Sequence, residues 1–562
     1  MELSVDQLRK ALVGSDGISE EDFEKAQTAK ETAEIGIVNV MISRGLIKDE
    51  TYGKRVADFL GFPYVNLQRA HVTSETAQVL PEAFARRHLL LPVKFDKEKY
   101  VIATSDPTNL LERALVEKYL RRPVEYVYST PTELNGSMYL FAKDPTEAME
   151  EILKHRPTDI NAPDTTTIEL VDAMLDYAYH GGASDIHIEP EDSYSQLRFR
   201  QDGILHDIID LPRNLHGNVM TRLKVLAKLA TDERRVPQDG KIRHKTKWGE
   251  RVEVRLSLVP TTHGEKAVMR LLADRSRTYN LATLGFSEQD YRAVSDVIHR
   301  PWGMFLVTGP TGSGKSTTLY SVLTVLNKPE VNITTIEDPV EFDMEGVNQI
   351  QVNEKAGLTF AKGLRSIVRQ DPDVVMVGEI RDSETANIAV NAAMTGHLVL
   401  STLHTNDAST AFPRLQDMGV EDFLIASTVN IVVAQRLVRK ICPNCATPAE
   451  ADTVRQKLIE DNPVIKGYLQ ELTKSKSLSS VKTFKGKGCT ICHQSGYHGR
   501  IGIFEVLVVD EPVREAIMAH KNADEIRELA LKQGMTTMLY DGLRKMLAGV
   551  TTLEEILRVT KD

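Results

Sequence analysis

The chain has 562 residues, 41% of them hydrophobic and 26% charged, with a formal net charge of −10 at pH 7. At about 150 residues per domain this length implies several domains, and the composition is that of ordinary globular protein. The acidic balance argues against a general nucleic-acid binder, which needs a basic footprint, and no apolar run approaches the ~18 residues of a membrane-spanning helix.

The start, Met1-Glu2-Leu3-Ser4-Val5-Asp6, has neither a basic segment nor an apolar core, so no signal peptide is expected and a cytosolic protein is the simplest reading. Residues 1–65 carry helical signals: Leu8, Leu12 and Val13, then the acidic first turn Glu20-Glu21-Asp22, then Val38, Val40, Met41 and Ile42. From 66 to 145 the pattern changes to strands near 89–93, 100–103 and 124–128, with a helix over 110–120. This N-terminal α+β domain, 1–145, holds no catalytic constellation and reads as a docking or regulatory part. Residues 146–164 carry proline and charge with little apolar period and read as a linker, with or without a short helix in it.

A smaller α/β domain is expected over 165–278. Its helix stops at Gly181-Gly182, its strands alternate at 184–190 and 196–200, and Asp202-Gly203 signals a hairpin turn. A nucleotide domain follows over 279–440, then a tetracysteine segment over 441–500 and a helical end over 501–562. The last helix shows a capping-box spacing between Thr551 and Glu554.

Within the nucleotide domain, Gly309-Pro310-Thr311-Gly312-Ser313-Gly314-Lys315-Ser316-Thr317 fits G-x-x-x-x-G-K-[ST] without a mismatch. An apolar run, 304–308, precedes it and helical spacing follows it. Strand, glycine loop and helix together aim backbone N–H groups and a helix N-terminus at a polyphosphate. A functionless glycine turn is the competing reading, and both flanks weigh against it. Lys315 is expected to reach the β- and γ-phosphates of ATP and Ser316 to ligate Mg²⁺. Other polar groups end apolar strands, which is the ligand side of an open α/β sheet. Glu337-Asp338-Pro339-Val340-Glu341-Phe342 follows one, Gly378-Glu379-Ile380-Arg381-Asp382 a second, and His397 and His404 bracket a third. Phosphoryl transfer to water needs charge neutralisation and a positioned water. Glu379 is therefore expected in the Mg²⁺ shell and Glu337 at the attacking water, although either acid fits either task. The two histidines read as γ-phosphate sensors or interface groups.

Arg365, Arg369 and Arg381 flank Asp371-Pro372-Asp373, and Arg255 and Arg270 end strands of the preceding domain. Solvent-exposed salt bridges and phosphate clamps reaching in from a neighbouring domain or subunit both fit. All four cysteines sit in two C-x-x-C pairs, Cys442/Cys445 and Cys489/Cys492. Four thiolates make a closed tetrahedral Zn²⁺ site, structural in kind. Disulfides are the alternative, and a cytosolic setting disfavours them.

These boxes, with 364–373 and the histidine box 396–406, occur in an order that resembles the secretion ATPases that assemble type IV pili or drive type II secretion. Residues 235–241 and 257–270 add to the resemblance, which covers about 165–562; residues 1–145 resemble only that family's variable N-terminal region. The resemblance implies a RecA-like P-loop core preceded by a PAS-like α/β domain, in a homo-hexamer with each nucleotide between the two α/β domains. It matches Glu337 to the water-activating acid and Glu379 to the acid near Mg²⁺. It matches Arg255, Arg270, Arg365, Arg369, Arg381 and Arg414 to phosphate-contacting or interface arginines. The cysteines match a zinc-binding insertion of the assembly and secretion branches, which points to extension rather than retraction. The implied activity is ATP hydrolysis coupled to mechanical work, with closure of 165–275 onto the loop as the power stroke. The implied partners are an inner-membrane platform protein and a docking protein on its cytoplasmic side, the ring lying peripherally on that face. No nucleic acid is implied. A nucleic-acid translocase and a non-hydrolysing nucleotide-gated scaffold are the alternatives. Some members bind cyclic di-GMP through repeats beginning Arg-Leu-Gly; here Glu34-Ile35-Gly36 holds that position, and its acid should repel a phosphate.

Overall fold

Two strand patterns, alternating and continuously apolar, build two kinds of sheet in this chain. The computed structural model describes residues 3–14, 18–28, 37–43, 46–47, 49–67, 70, 72–96, 98–141, 145–154, 165–247, 251–273, 281–341, 343–449, 457, 459–474, 483–489, 492 and 494–560. Glu34-Ile35-Gly36, the second half of the expected linker and Phe342 lie outside the described residues. The chain divides into two units: residues 1–273 with 442–446 and 487–496, and residues 274–441 with 447–486 and 497–562.

In the first unit the helices Val5–Leu12, Glu20–Thr28, Ile37–Ser43 and Asp49–Leu60 share a core of Leu12, Phe23, Met41 and Val56. Strands β1 (Leu90–Asp96), β2 (Lys99–Thr104) and β3 (Val124–Tyr128) form a small sheet in that order. The helix Leu110–Leu120 makes the crossover that the parallel β2–β3 pair requires. A helix runs over Pro145–Lys154, at the start of the linker for which a short helix was one expectation. Ala148, Met149, Ile152 and Leu153 give it one apolar face, and that face packs into the next core.

That core belongs to an antiparallel sheet of β4 (Ala183–Pro190), β5 (Tyr194–Gln201), β6 (Ile204–Pro212), β7 (Gln238–Lys245), β8 (Arg251–Thr261) and β9 (Gly264–Ala273), ordered β6-β5-β4-β9-β8-β7. One face is apolar: Ile186, Ile188, Leu197, Phe199, Leu256 and Met269 cluster with the helices Thr165–His180 and Arg213–Ala227. The opposite face carries the charged residues of the same strands, as the period of two demands. Asp202 and Gly203 both have positive φ, +48° and +86°, and form the two-residue turn that pairs Gln201 with Ile204.

The second unit holds β10 (Gly303–Thr308), β11 (Ile333–Glu337), β12 (Val347–Gln351), β13 (Val374–Val377), β14 (Leu398–Leu403) and β15 (Val429–Ile441). After the short pair β16 (Ala446–Ala449) and β17 (Thr483–Gly486), β18 (Tyr497–Val508) closes the main sheet, ordered β12-β11-β13-β14-β10-β15-β18. Every pair is parallel except β15–β18. Helices cover both faces, so β10, β13 and β14 are buried at every position and are largely apolar; the Ser401 and Thr402 hydroxyls of β14 donate to the carbonyls of Val377 and Gly378. The parallel register puts their carboxyl ends, with that of β11, on one edge.

The helix Leu553–Thr560 begins one residue later than its capping spacing suggested. Thr552 caps the Glu555 N–H, while the Thr551 hydroxyl donates to the Arg439 carbonyl, 2.8 Å away. Glu555 is buried and accepts from Arg439 and from Arg558. Burial works to raise its pKa, but the donors from Arg558 and Arg439 outweigh it and hold the carboxyl down from 4.5 to about 2. A depressed folded-state pKa contributes stability above the ordinary value and loses it on acidification. Replacing Glu555 with Gln is expected to remove on the order of 3 kcal/mol near pH 7. Denaturant melts should show that difference shrinking as pH falls from 4.5 towards 2.

Candidate nucleotide site

The loop between β10 and the helix Lys315–Leu326 is shaped by glycines. Gly309, Gly312 and Gly314 have φ of +143°, +80° and +93°, a region that favours glycine. A Cβ on Gly309 would lie 2.6 Å from the Gln435 carbonyl oxygen, whereas one on Gly312 would meet nothing within 4 Å. Gly312 thus marks the open side of the cradle. Gly314 caps the helix without a side chain, leaving the first-turn N–H groups for an anion. The Ser313 hydroxyl is buried without a partner among the described residues. Lys315 Nζ donates across the loop to the carbonyls of Gly309 (2.7 Å) and Pro310 (3.1 Å), and Ser316 is exposed. Burial lowers the Lys315 pKa against the opposing pull of the Glu379 charge. Among the described residues this half-buried cation donates to carbonyls and lacks a full counter-charge, which a triphosphate would supply.

Gln435, on β15, has no part in the sequence reading and yet fixes the loop from beneath. Its amide donates to the Ser313 carbonyl (2.8 Å) and accepts from the Thr318 hydroxyl (2.6 Å). The available signal was a glutamine inside the apolar strand 429–438.

The acids of the carboxyl edge fall into two settings. Glu379, just after β13, pairs with Arg381 Nε at 2.6 Å and with His404 Nε2 at 3.3 Å. These three join the loop as one group around a carboxylate. Glu337 ends β11 only 4% exposed, and its oxygens accept from the hydroxyl of Tyr320, from Thr335 Oγ1 (2.6 Å) and from Gln349 Nε2 (3.1 Å). So enclosed, it is poorly placed for the water-activating role expected of it. Glu341, four residues on in the same box, is exposed at the same edge. The sequence reading included Glu341 in the box without giving it a task, because spacing does not report burial.

Several expected residues are not brought to the loop. His397 precedes β14 at its amino end, its carbonyl accepting from Gly303 and its ring lying 2.8 Å from the Ala392 carbonyl. Six paired rungs separate it from the loop edge, about 20 Å at ~3.3 Å per residue, so the expectation of a γ-phosphate contact within its own subunit is corrected. Arg369 stands before β13 on that same far edge and is exposed. Arg365 spends its charge on Glu384 at 2.7 Å, both more than half exposed, and Arg414 is exposed on the helix Ala411–Asp417.

In the first unit, Arg255 and Arg270 are direct cross-strand neighbours on β8 and β9. With Asp185, Asp239, Lys241 and Ser257 they line a cavity of ≈ 460 Å³. Like charges placed opposite each other repel, and Asp185 holds Arg270 at 3.2 Å.

The four cysteine sulfurs all lie within 4.8 Å of one another. Separations of 3.8 Å (Cys442–Cys489), 3.8 Å (Cys445–Cys492) and 3.6 Å (Cys489–Cys492) far exceed a disulfide bond. They match the edge of about 3.8 Å of a tetrahedron with 2.3 Å Zn–S bonds. Backbone N–H groups of Cys489 and Gly496 donate to Cys492 Sγ, the usual support of a thiolate ligand.

The family model described as Type II/IV secretion system protein matches residues 161–558, and the MshEN domain model matches 60–138. The type IV pilus assembly ATPase PilB of Myxococcus xanthus (strain DK1622) is 37% identical over 569 residues, 98% of each chain. The type II secretion system ATPase E of Vibrio cholerae serotype O1 is 47% identical over 414 residues, 74% of this chain and 79% of that one. Among solved structures, the ATPase DotB of Yersinia pseudotuberculosis shares the fold, with a TM-score of 0.51 at 21% identity over 72% of this chain and 95% of its own. A loop built for a triphosphate, at the edge of a sheet that a family model spans throughout, leads to one conclusion: the chain belongs to the Type II/IV secretion system protein family and is an ATP-hydrolysing enzyme.

Proposed function

We propose that this ATPase is the motor that drives assembly of type IV pilus subunits, working as a homo-hexamer on the cytoplasmic face of the inner membrane against a platform protein and a docking protein. The observation that supports it most is the shared carboxyl edge of the sheet, which carries the phosphate loop, the Glu379–Arg381–His404 group and, after β11, Glu341. Coverage of 98% of both chains in the match to a pilus assembly ATPase favours the pilus reading. The higher identity, 47%, to a type II secretion ATPase keeps pseudopilus assembly as the second reading. No helix among the described residues is long and apolar enough to cross a membrane, which agrees with a peripheral place.

Ser316 and Glu379 would hold Mg²⁺, whose charge would neutralise the β- and γ-phosphates. Lys315 exchanges its two carbonyl partners for phosphate oxygens, and the helix N-terminus receives the negative charge. Glu341 orients the attacking water and takes its proton, with His404 and Arg381 beside the site to balance developing charge. Arg255 and Arg270 give the α/β domain an anion-binding face of its own. The four cysteines would hold one Zn²⁺ that ties the two ends of the insertion together.

Purified protein should hydrolyse ATP and Lys315→Ala should not. Glu341→Gln should lower kcat by about 10²–10⁴-fold, the usual worth of a general base, with nucleotide binding kept; an undiminished kcat refutes the assignment. Elemental analysis should find one zinc per chain, lost in a Cys445→Ser, Cys489→Ser variant that also melts earlier. A disruption strain scored separately for surface pili and for secreted protein decides between the two assembly readings: loss of pili with normal secretion is expected.

A further inference from the structure

Tyr320 lies in the helix Lys315–Leu326, four residues after Ser316 and so on the same helical face. It is among the largest fully enclosed side chains of the chain, about 2% exposed. Its hydroxyl donates to Glu337 Oε2 and accepts the backbone N–H of Glu341 at 3.3 Å. Glu337 in turn receives Thr335 Oγ1 and Gln349 Nε2, from the adjacent strands β11 and β12. The Gln349 amide oxygen then accepts the Met344 N–H at 2.7 Å. The segment after β11 is therefore tied at two backbone points, Glu341 and Met344, to one network centred on the Glu337 carboxylate. Burial pushes the Tyr320 phenol far above its ordinary pKa, and the neighbouring Glu337 charge adds to this, so the hydroxyl keeps its proton to donate.

We propose that Tyr320 is a positioning residue for hydrolysis, its hydroxyl coupling the phosphate-loop helix to the acidic segment so that Glu341 is held towards the attacking water. The proposal rests on the reading of Glu341 as the water-activating acid. It gives the enclosed Glu337 a task that its burial suits: a fixed acceptor that organises donors, not a base that meets solvent. Nucleotide enters at the N-terminal turn of this helix, and any shift of that turn reaches Glu341 through the hydroxyl. The phosphate contacts themselves do not involve Tyr320, so binding and turnover separate.

The test is Tyr320→Phe, which keeps the ring and its packing while leaving Glu337 Oε2 and the Glu341 N–H without this partner. A displacement of about 1 Å at a reacting group costs on the order of 10²-fold in rate. The expected result is a kcat lowered by about 10–100-fold with KM for ATP within about twofold. Tyr320→Phe combined with Glu341→Gln should be no slower than Glu341→Gln alone, because the hydroxyl acts through Glu341. Thermal melting and binding of a fluorescent ATP analogue verify the fold. If the Phe variant fails to fold, Glu337→Gln breaks the same network from its other side and should show the same split between kcat and KM. Unchanged kcat in Tyr320→Phe, or losses that multiply in the double variant, overturn the role of Tyr320 while leaving Glu341 in place. Full kcat in Glu341→Gln overturns both readings together.

Discussion

A parallel strand covered by helices on both faces has little room for charged side chains along its length, so its charged chemistry collects at its ends. This constraint organises the second unit. The runs 303–308, 374–377 and 398–403 are buried throughout, and the groups that neutralise charge follow immediately after them. Because the strands are parallel and in register, those ends share one edge, and residues about a hundred positions apart in the chain become neighbours. The phosphate loop and Glu379 meet for this reason and for no local one.

The loop itself is held open by glycines and held down by one glutamine. Positive φ at three glycines turns the backbone N–H groups towards an anion, and the close approach at Gly309 lets β15 support the loop from below. Gln435 supplies that support with one donor and one acceptor, which satisfies a carbonyl and a hydroxyl that would otherwise be buried unpaired. The same economy recurs at Glu337, where three donors converge on one carboxylate. Rigidity under the loop and freedom above it are complementary needs of a site that must bind, react and release.

The tetracysteine cluster follows a different logic. Its sulfurs come from two ends of a long insertion, and their separations answer to tetrahedral geometry rather than to packing of a hydrophobic core. Short segments with few apolar residues gain their order from such a closure. The antiparallel sheet of the first unit offers a third solution: strict alternation leaves one face for the core and one for charge. Arg255 and Arg270 reach neighbouring positions on that charged face.

The phosphate loop was legible because its chemistry is local: nine consecutive residues specify both the turn and the ligand. The Asp202-Gly203 hairpin was legible for the same reason, since φ is a property of the residue itself. The spacing of the two C-x-x-C pairs also sufficed to group four cysteines. The sequence did not separate His404 from His397, although they bracket the same strand, since only strand direction within the sheet puts one at the loop and the other at the far edge. Nor did it separate Glu337 from Glu341, because burial and hydrogen bonding come from Tyr320, Thr335 and Gln349 on other elements. What the sequence determined by itself was which residues could carry the chemistry, because side-chain type and local turn geometry are encoded one residue at a time. Which of them face the nucleotide was decided by tertiary structure, because exposure and donor partners arise only when distant strands and helices pack together.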